Sequence, residues 1–250
     1  NNLGLIYWNM ADYDKALKYF FEALKDFEQI KNEKFESNAL NNIGLVYYDI
    51  HNYKQSLKYH LKAKVIYEKL DDAYLLGAVS TNLSNAYHNL DKIDSAEYYC
   101  LEAIRLHTKA NDEYGLSIAY NGYASLQSAK GDTTKALEYF EKALKLKENL
   151  NEQVGITSIL IQMSKIYNTQ NNSAKELDCL IKAKKIAEEN NFKKDLIEIY
   201  SSLSAYYESS NTALALDYFK KYNIVKDSVF NENSNRQITE LNTRYETGKK

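Results

Sequence analysis

The sequence predicts an all-α solenoid, a right-handed superhelix of stacked helical hairpins, on three observations. A short pattern, seen as Leu3-Gly4-x-x-Tyr7 and again as Ile43-Gly44-x-x-Tyr47, returns with a period of about 40 residues. A second pattern, Ala16-x3-Phe20-x2-Ala23, follows the first and returns with the same period. The chain has no proline, which suits an almost wholly helical structure. A fixed period of this length is typical of stacked supersecondary units.

Both patterns place their residues on one face of a helix, since the spacings are i, i+4 and i, i+4, i+7. Short polar turns rich in Asn, Asp and Gly separate the helices, and these residues tolerate a left-handed helix end or cap the next helix. We expect an array over residues 1–229. Its six hairpins, the first truncated, span 1–30, 31–70, 71–110, 111–150, 151–190 and 191–229.

The segment 230–250 departs from the repeat. It is polar at first, and then Ile238, Leu241 and Tyr245 follow at i, i+3 and i+7, the spacing of one coiled-coil heptad. We expect a C-terminal extension helix. It either caps the last hairpin or pairs with a second copy in a homodimer, and one heptad alone is too short to hold two chains together.

Composition excludes some functions. The net charge is −2, from 32 basic and 34 acidic residues, which argues against a nucleic-acid partner. No apolar run reaches the ~18 residues of a membrane helix, so we expect no membrane contact by the repeats. The histidines lack metal-ligand spacing, no Gly-rich phosphate loop is present, and the acidic residues follow solvated faces. We therefore expect no enzyme activity in this chain, no cofactor and no metal.

The paired patterns resemble the tetratricopeptide repeat, whose signature joins a Leu-Gly-x-x-Tyr stretch to an Ala-x3-Phe-x2-Ala stretch. The period of 40 exceeds the family's usual 34, and the family's proline is absent. Longer units occur in kinesin light chains and in Rap-type regulators. A Rap-like phosphatase activity is disfavoured, because it needs an N-terminal helical bundle that this chain lacks. The resemblance covers residues 1–229.

The tail, from Lys226-Asp227-Ser228-Val229-Phe230 to Arg244-Tyr245-Glu246, resembles the segment that closes the repeat array in membrane-bound sensors of Bacteroidetes. In those proteins a histidine kinase or helix-turn-helix output domain follows a transmembrane helix. The resemblance implies the sensor region of a two-component or transcriptional signal-transduction protein, on the periplasmic side of the membrane. The alternative is a free-standing scaffold or adaptor, cytoplasmic in that case. The sequence beyond Lys250 distinguishes the two.

The resemblance also implies that the first helices line a concave groove for a protein or extended peptide. The family's groove positions carry mainly carboxamides and aromatics: Trp8, Asn9, Asn41, Asn42, Tyr48, Asn82, Asn85, His88, Asn121, Ser125, Lys165 and Asn168. A carboxamide both donates and accepts, so such a row suits a peptide backbone. The alternative is that the asparagines tie neighbouring helices together.

Two further expectations concern charge and histidine. A groove that grips a C-terminal carboxylate needs several cations, and only Lys165 stands at such a position. Recognition of chaperone tails is therefore disfavoured. His60 replaces the family's aromatic residue and is expected in the core, whereas His88 lies on the groove face and is a candidate ligand contact.

Overall fold

The computed structural model describes the backbone of residues 1–247 and the side chains of residues 1–232 and 239. Within this part of the chain there are twelve α-helices and no strand. The helices are α1 Asn2–Asn9, α2 Tyr13–Gln29, α3 Glu33–Asp49, α4 Tyr53–Lys69, α5 Ala73–His88, α6 Ile93–Lys109, α7 Glu113–Ala129, α8 Thr133–Asn149, α9 Gln153–Thr169, α10 Ser173–Glu189, α11 Lys193–Tyr207 and α12 Thr212–Thr247. The predicted all-α class is confirmed.

The chain divides into an N-terminal unit, Asn1–Leu146, and a C-terminal unit that begins at Lys147. Consecutive helices pack together in both units, for example α3 on α4 and α11 on α12. In the N-terminal unit the first helices also contact one another, α3 with α5 and α5 with α7. We number the six helix pairs hairpin 1 (α1–α2) to hairpin 6 (α11–α12), and they follow the period that the sequence predicts.

The turns recur at a regular spacing, because most helices have 17 residues and three more connect them. One residue in each such turn adopts a positive φ, as predicted for the helix ends. Only one of these residues is a glycine: the set is Ala11, Lys31, His51, Asp71, Asp91, Asn111, Gly131, Asn151, Asn171 and Asn191. From α2 to α11, the residue two places before the helix has a positive φ and reverses the chain in the same way. Because the turns are alike, the nearly constant helix length determines the period.

Side chains that follow the left-handed residue cap the next helix. Asp12 accepts a hydrogen bond from the backbone N–H of Lys15, and Asn32 accepts one from Phe35. The backbone N–H of Asp12 also bonds to Tyr7 O, five residues back, which closes the preceding helix. The polar turns of the sequence thus satisfy the free backbone groups at both helix ends.

The core of the N-terminal unit lies between the first and second helices of each hairpin. Phe20, Ile43 and Val46 are fully buried there. Gly4 permits this packing, since a Cβ at that position would lie 2.5 Å from the Phe20 ring. Gly44 does the same for His60, with 2.6 Å to the imidazole. The glycine of the first sequence pattern therefore leaves the space that the ring of the second sequence pattern fills.

The last helix is the longest. α12 has 36 residues and continues past residue 230, where the composition changes, without a break in the helix. Ile238, Leu241 and Tyr245, the predicted heptad, lie outside the residues whose side chains the structure describes. Among the described helices none is both long and apolar enough to cross a membrane.

Candidate functional site

The first helices of the N-terminal unit carry almost no charge. α1 and α5 contain no Asp, Glu, Lys or Arg, and α7 has only Glu113 at its first position. In α3 the charged residues lie in the first four positions, except for Asp49 at the last. The second helices, by contrast, are rich in lysine and glutamate. We call the predicted groove residues on α1, α3, α5 and α7, together with the neighbouring Asn1, Asp49 and Asn89, the first-helix face.

Hydrogen bonds between side chains join adjacent first helices at a constant offset of 41 residues. Between hairpins 1 and 2, Asn42 Nδ2 donates to Asn1 Oδ1 at 3.3 Å, and Trp8 Nε1 donates to Asp49 Oδ2 at 2.6 Å. We call such cross-helix bonds rungs. They show that several predicted groove residues tie helices together, the alternative that the sequence left open.

Two further rungs join hairpins 2 and 3. Asn82 Nδ2 donates to Asn41 Oδ1 at 3.1 Å, and Asn89 Nδ2 donates to the hydroxyl of Tyr48 at 2.9 Å. The offset exceeds the repeat period by one, so the two bonded residues do not occupy equivalent positions in their hairpins. Each bond joins a groove position in one hairpin to the residue that follows the equivalent position in the next hairpin. A comparison of equivalent positions therefore does not reveal these pairs.

A second helix supports the row from behind. His60 of α4 is fully buried, and its Nδ1 lies 3.0 Å from Asn41 Oδ1. Burial lowers the pKa of His60 to about 3, so the ring is neutral and Nδ1 carries its proton toward the amide oxygen. The expectation that His60 lies in the core is confirmed. Asn41 Oδ1 accepts two hydrogen bonds, and its Nδ2 group is thereby oriented away from both donors.

The rungs stop at hairpin 4. The same offset counted from Thr81 and His88 leads to Gly122 and Ala129, which have no polar side chain. A Cβ at Gly122 would meet only Cys100 Sγ, at 3.7 Å. The first-helix face therefore has a cross-bonded part in hairpins 1 to 3 and an unbonded junction before hairpin 4.

The remaining predicted residues of the N-terminal unit differ in exposure. Asn9, Asn85 and His88 are exposed. Asn121 and Ser125 are partly buried, and the Ser125 hydroxyl donates to the backbone oxygen of Asn121 at 3.0 Å. The Oδ1 atom of Asn121 is buried and has no hydrogen-bond partner among the described residues. The exposed residues are the ones left available to a ligand.

Lys165 and Asn168 belong to the C-terminal unit and are engaged within it. Lys165 Nζ lies 2.6 Å from Glu198 Oε1, so its charge is paired. Asn168 Nδ2 donates to Glu176 Oε1 at 2.9 Å. Neither residue offers an unpaired cation of the kind that binds a terminal carboxylate.

Reactive groups of other kinds are buried or dispersed. Burial raises the pKa of the Cys100 thiol to about 12 and that of Cys179 to about 11, so both stay protonated at neutral pH. Both thiols are free. No cluster of three or more His, Cys, Asp or Glu side chains able to hold a metal ion occurs in the part of the chain that the structure describes.

Comparison with known proteins identifies the family. The chain matches the tetratricopeptide repeat over residues 1–69, 35–109 and 75–149, which together cover more than half of it. It therefore belongs to the tetratricopeptide repeat family. No curated protein matches the sequence.

Solved structures share the fold at low sequence identity. BtubC (BKLC) from P. vanneervenii superposes with a TM-score of 0.76 at 12% identity, covering 87% of this chain and 92% of that protein. The Rap conjugation gene regulator of plasmid pLS20, in complex with the Phr* peptide, gives 0.56 at 18% identity, covering 92% and 73%. A STAND signal-transduction ATPase with a tetratricopeptide repeat sensor, from Pyrococcus horikoshii, gives 0.69 at 16%, covering 96% and 40%.

Proposed function

We propose that this chain is a non-catalytic regulatory domain that binds a protein or an extended peptide on the first-helix face of its N-terminal unit. The observation that carries the proposal is a nearly uncharged row of oriented carboxamides beside exposed Asn9, Asn85 and His88. A catalytic surface would need a polarised acid, base or nucleophile, whereas amides fit the donor and acceptor pattern of a peptide backbone.

The rungs prepare the face for binding. His60 and Asn82 both donate to Asn41 Oδ1, which leaves Asn41 Nδ2 to donate to a backbone carbonyl. Because the amide is already fixed, little side-chain entropy is lost when the ligand binds. The partly exposed Trp8 and Tyr48, held by their own rungs, give the same face an apolar section at hairpins 1 and 2.

The finer proposal is the sensor region of a membrane-bound signal-transduction protein, a two-component histidine kinase or a helix-turn-helix regulator of Bacteroidetes type, with this domain on the periplasmic side. The tail resemblance supports it, as does the length of α12, which runs unbroken from Thr212 to Thr247. The similar fold of a sensor in a signalling ATPase and of a peptide-bound Rap regulator is compatible with such a role.

Selection of peptides tests the binding proposal. A phage library of unstructured 12-residue peptides is panned on the immobilised chain, and the selected peptide is titrated by fluorescence anisotropy. The double replacement Asn85→Ala and His88→Ala removes two exposed groups of the face. We expect affinity to fall about 10-fold, on the order of 1.4 kcal/mol, for the lost hydrogen bonds.

A matched control separates binding from folding. Gln29→Ala removes an exposed carboxamide at the end of α2, away from the face, and should leave affinity unchanged. Asn82→Ala breaks a rung, so it reports on the preparation of the face and not on direct contact. Failure to select any peptide, or equal affinity of the double variant and the wild type, would contradict the proposal.

A further inference from the structure

The first-helix face carries one carboxylate, at a repeat position that is uncharged in the neighbouring hairpins. Asp49 is the last residue of α3. In hairpins 1, 3, 4 and 5 the same position holds a neutral side chain: Asn9, Asn89, Ala129 and Thr169. Asp49 is exposed, and no cationic side chain lies within 4.0 Å of its carboxylate among the residues whose side chains the structure describes. Its charge is therefore uncompensated within that part of the chain.

The rung that Asp49 makes does not require a charge. Trp8 Nε1 donates to Asp49 Oδ2 at 2.6 Å, and the amide oxygen of an asparagine can accept the same hydrogen bond. Asn1 and Asn41 do so in the neighbouring rungs, each through its Oδ1 atom. The negative charge of Asp49 is therefore more than the cross-helix bond needs.

The position of Asp49 also opposes the helix dipole. The C-terminal end of a helix carries a partial negative charge, which favours cations and disfavours carboxylates. The last turns of α1 and α3 contain no basic residue, and the bond between Trp8 and Asp49 joins these two helix ends. Asp49 thus adds a full negative charge where the helices are already negative. A local rule broken without a compensating contact is typical of a functional position.

Aromatic side chains adjoin the carboxylate. The indole of Trp8 bonds to Asp49 directly and is itself only half-buried. Burial raises the pKa of Tyr48, and the nearby charge of Asp49 adds to the rise, so this phenol is close to the carboxylate as well. Asp49 Oδ1 makes no hydrogen bond to the described residues. A free carboxylate oxygen beside aromatic rings suits an ammonium or guanidinium group, which pairs with the charge and packs on the rings.

We propose that Asp49 and Trp8 form a subsite of the first-helix face that binds a basic side chain, arginine or lysine, of the bound peptide. The inference rests on the proposed function and adds the chemistry of the ligand to it. The amides of the face bind the peptide backbone whatever its sequence. Asp49 is the position that selects one side chain, because it carries the only charge of the face as defined above.

Peptide selection on two proteins tests the preference. Asp49→Asn removes the charge and keeps an oxygen for Trp8 Nε1. The library of 12-residue peptides is panned in parallel on the wild type and on this variant. We expect the peptides selected by the wild type to be enriched in arginine and lysine relative to those selected by the variant. Equal basic content in the two sets overturns the subsite and leaves the proposed function standing, whereas failure of both proteins to select any peptide contradicts the proposed function and the subsite with it.

A double-mutant cycle measures the pair itself. In the peptide selected by the wild type, the basic residue is replaced by a neutral isostere, citrulline for arginine or acetyl-lysine for lysine. This change and Asp49→Asn should each lower the affinity about 3-fold, as expected for a partly exposed ion pair. Together they should lower it no further, because either change alone already removes the interaction. Additive losses overturn the pairing.

Three controls separate the subsite from other effects. Asp26→Asn, at an exposed carboxylate of α2, should leave the affinity unchanged. Acetylation of the peptide N-terminus should also leave it unchanged, and a loss there would assign the cation to the terminal amine and overturn the choice of a side chain. Asp49→Asn should not lower the melting temperature, because the rung persists and the end of α3 loses an unfavourable charge. A lower melting temperature would show that the charge serves the fold, which contradicts the proposal.

Discussion

At the scale of single residues, the buried His60 shows that one repeat position can hold side chains of different chemistry while its packing stays the same. Phe20 and Phe140 occupy the same position, and all three rings are at most 1% exposed. The imidazole keeps the packing and adds a hydrogen bond to Asn41 on the first-helix face. It does so as a neutral ring, since burial lowers its pKa to about 3.

This pKa predicts a pH dependence of stability. The unfolded chain binds a proton at His60 below pH 6.5, whereas the folded chain does so only near pH 3, so stability falls as pH falls through this window. At pH 5 the penalty is about 2 kcal/mol. When the pH is lowered from 7.5 to 5, the free energy of unfolding of His60→Phe, measured in urea, should therefore rise by about that much relative to that of the wild type. Phe140→Leu, at the same repeat position and without an ionisable side chain, is the control and should show no such gain. A parallel response of all three proteins would contradict the assignment.

Two glycines of the N-terminal unit predict opposite responses to the same substitution. A Cβ at Gly44 would lie 2.6 Å from the His60 ring, whereas one at Gly122 would meet only Cys100 Sγ at 3.7 Å. Gly44→Ala should destabilise the fold by ~2 kcal/mol through overpacking. Gly122→Ala should be neutral or stabilise by up to ~1 kcal/mol, because alanine is the better helix former. Thermal unfolding of both variants gives the comparison, and equal shifts would count against the packing.

At the scale of helices and turns, one junction combines a helix cap with a contact between a carboxylate and an imidazole. Asp112 Oδ1 accepts from the Gly115 N–H at 3.0 Å, and its Oδ2 lies 2.8 Å from Nδ1 of the buried His107. Glu152 repeats this in the C-terminal unit with Gly155 and Lys147. Both junctions have a glycine three residues after the cap. The position three residues after the cap is Phe35 at the start of hairpin 2 and Leu75 at the start of hairpin 3. At these two junctions an aromatic residue stands where His107 or Lys147 stands at the others.

The junction predicts a graded response at Asp112. Asp112→Asn keeps an oxygen for the cap and removes the carboxylate charge opposite His107, whereas Asp112→Ala removes both interactions. We expect the alanine variant to lose ~1 kcal/mol more than the asparagine variant, the usual contribution of an N-cap. Chemical denaturation of the two variants measures the difference. Equal losses would mean that the cap contributes nothing here.

The left-handed turn residues predict stabilising changes. A non-glycine residue with positive φ carries a cost that glycine avoids. Lys31→Gly, at φ 54°, should therefore stabilise the chain by up to ~1 kcal/mol, and Gly131→Ala, at φ 82°, should destabilise it by a similar amount. Lys109→Gly, within the last turn of α6, is the opposite control and should destabilise. Differential scanning calorimetry would show the sign of each shift.

The sequence predicted this level of structure well, and the physical reason is repetition. A pattern that returns in hairpin after hairpin averages out local ambiguity, so the positions of helices and turns could be predicted from the sequence. The left-handed residue of each turn could not be predicted from residue type, because Ala11, Lys31 and His51 are unusual at positive φ. A nearly constant helix length determines those turns. The sequence left open that the asparagines tie neighbouring helices together, but it did not give the partners, since Trp8 and Asp49 lie 41 residues apart and only the fold brings them together.

At the scale of the whole molecule, charge is segregated. The chain has 32 basic and 34 acidic residues, yet the first-helix face contains a single carboxylate, Asp49, already bonded to Trp8. In the N-terminal unit most cations lie on the second helices, where Lys58 and Lys142 approach the Tyr59 and Tyr139 rings. A ligand on the first-helix face therefore meets dipoles and apolar surface, and few fixed charges.

This segregation predicts weak salt dependence of binding. Between about 50 mM and 500 mM NaCl the affinity for a selected peptide should change less than about 2-fold, because screening acts mainly on exposed charges. Titrations at both salt concentrations, repeated with an amidated peptide C-terminus, also test recognition of a carboxylate. A loss of 10-fold or more with salt or with amidation would show that cations dominate the interaction.

The end of the rungs at Gly122 has a mechanical meaning. Bending that spreads the first helices apart must break two hydrogen bonds at each of the first two junctions of the N-terminal unit. At the third junction, Gly122 and Ala129 oppose the same motion with no such bonds. There α5 contacts α7 directly, so helix-to-helix packing takes the place of the rungs. The N-terminal unit thus joins its first helices in two ways, by hydrogen bonds at the first two junctions and by close packing at the third, beside Asn85 and His88.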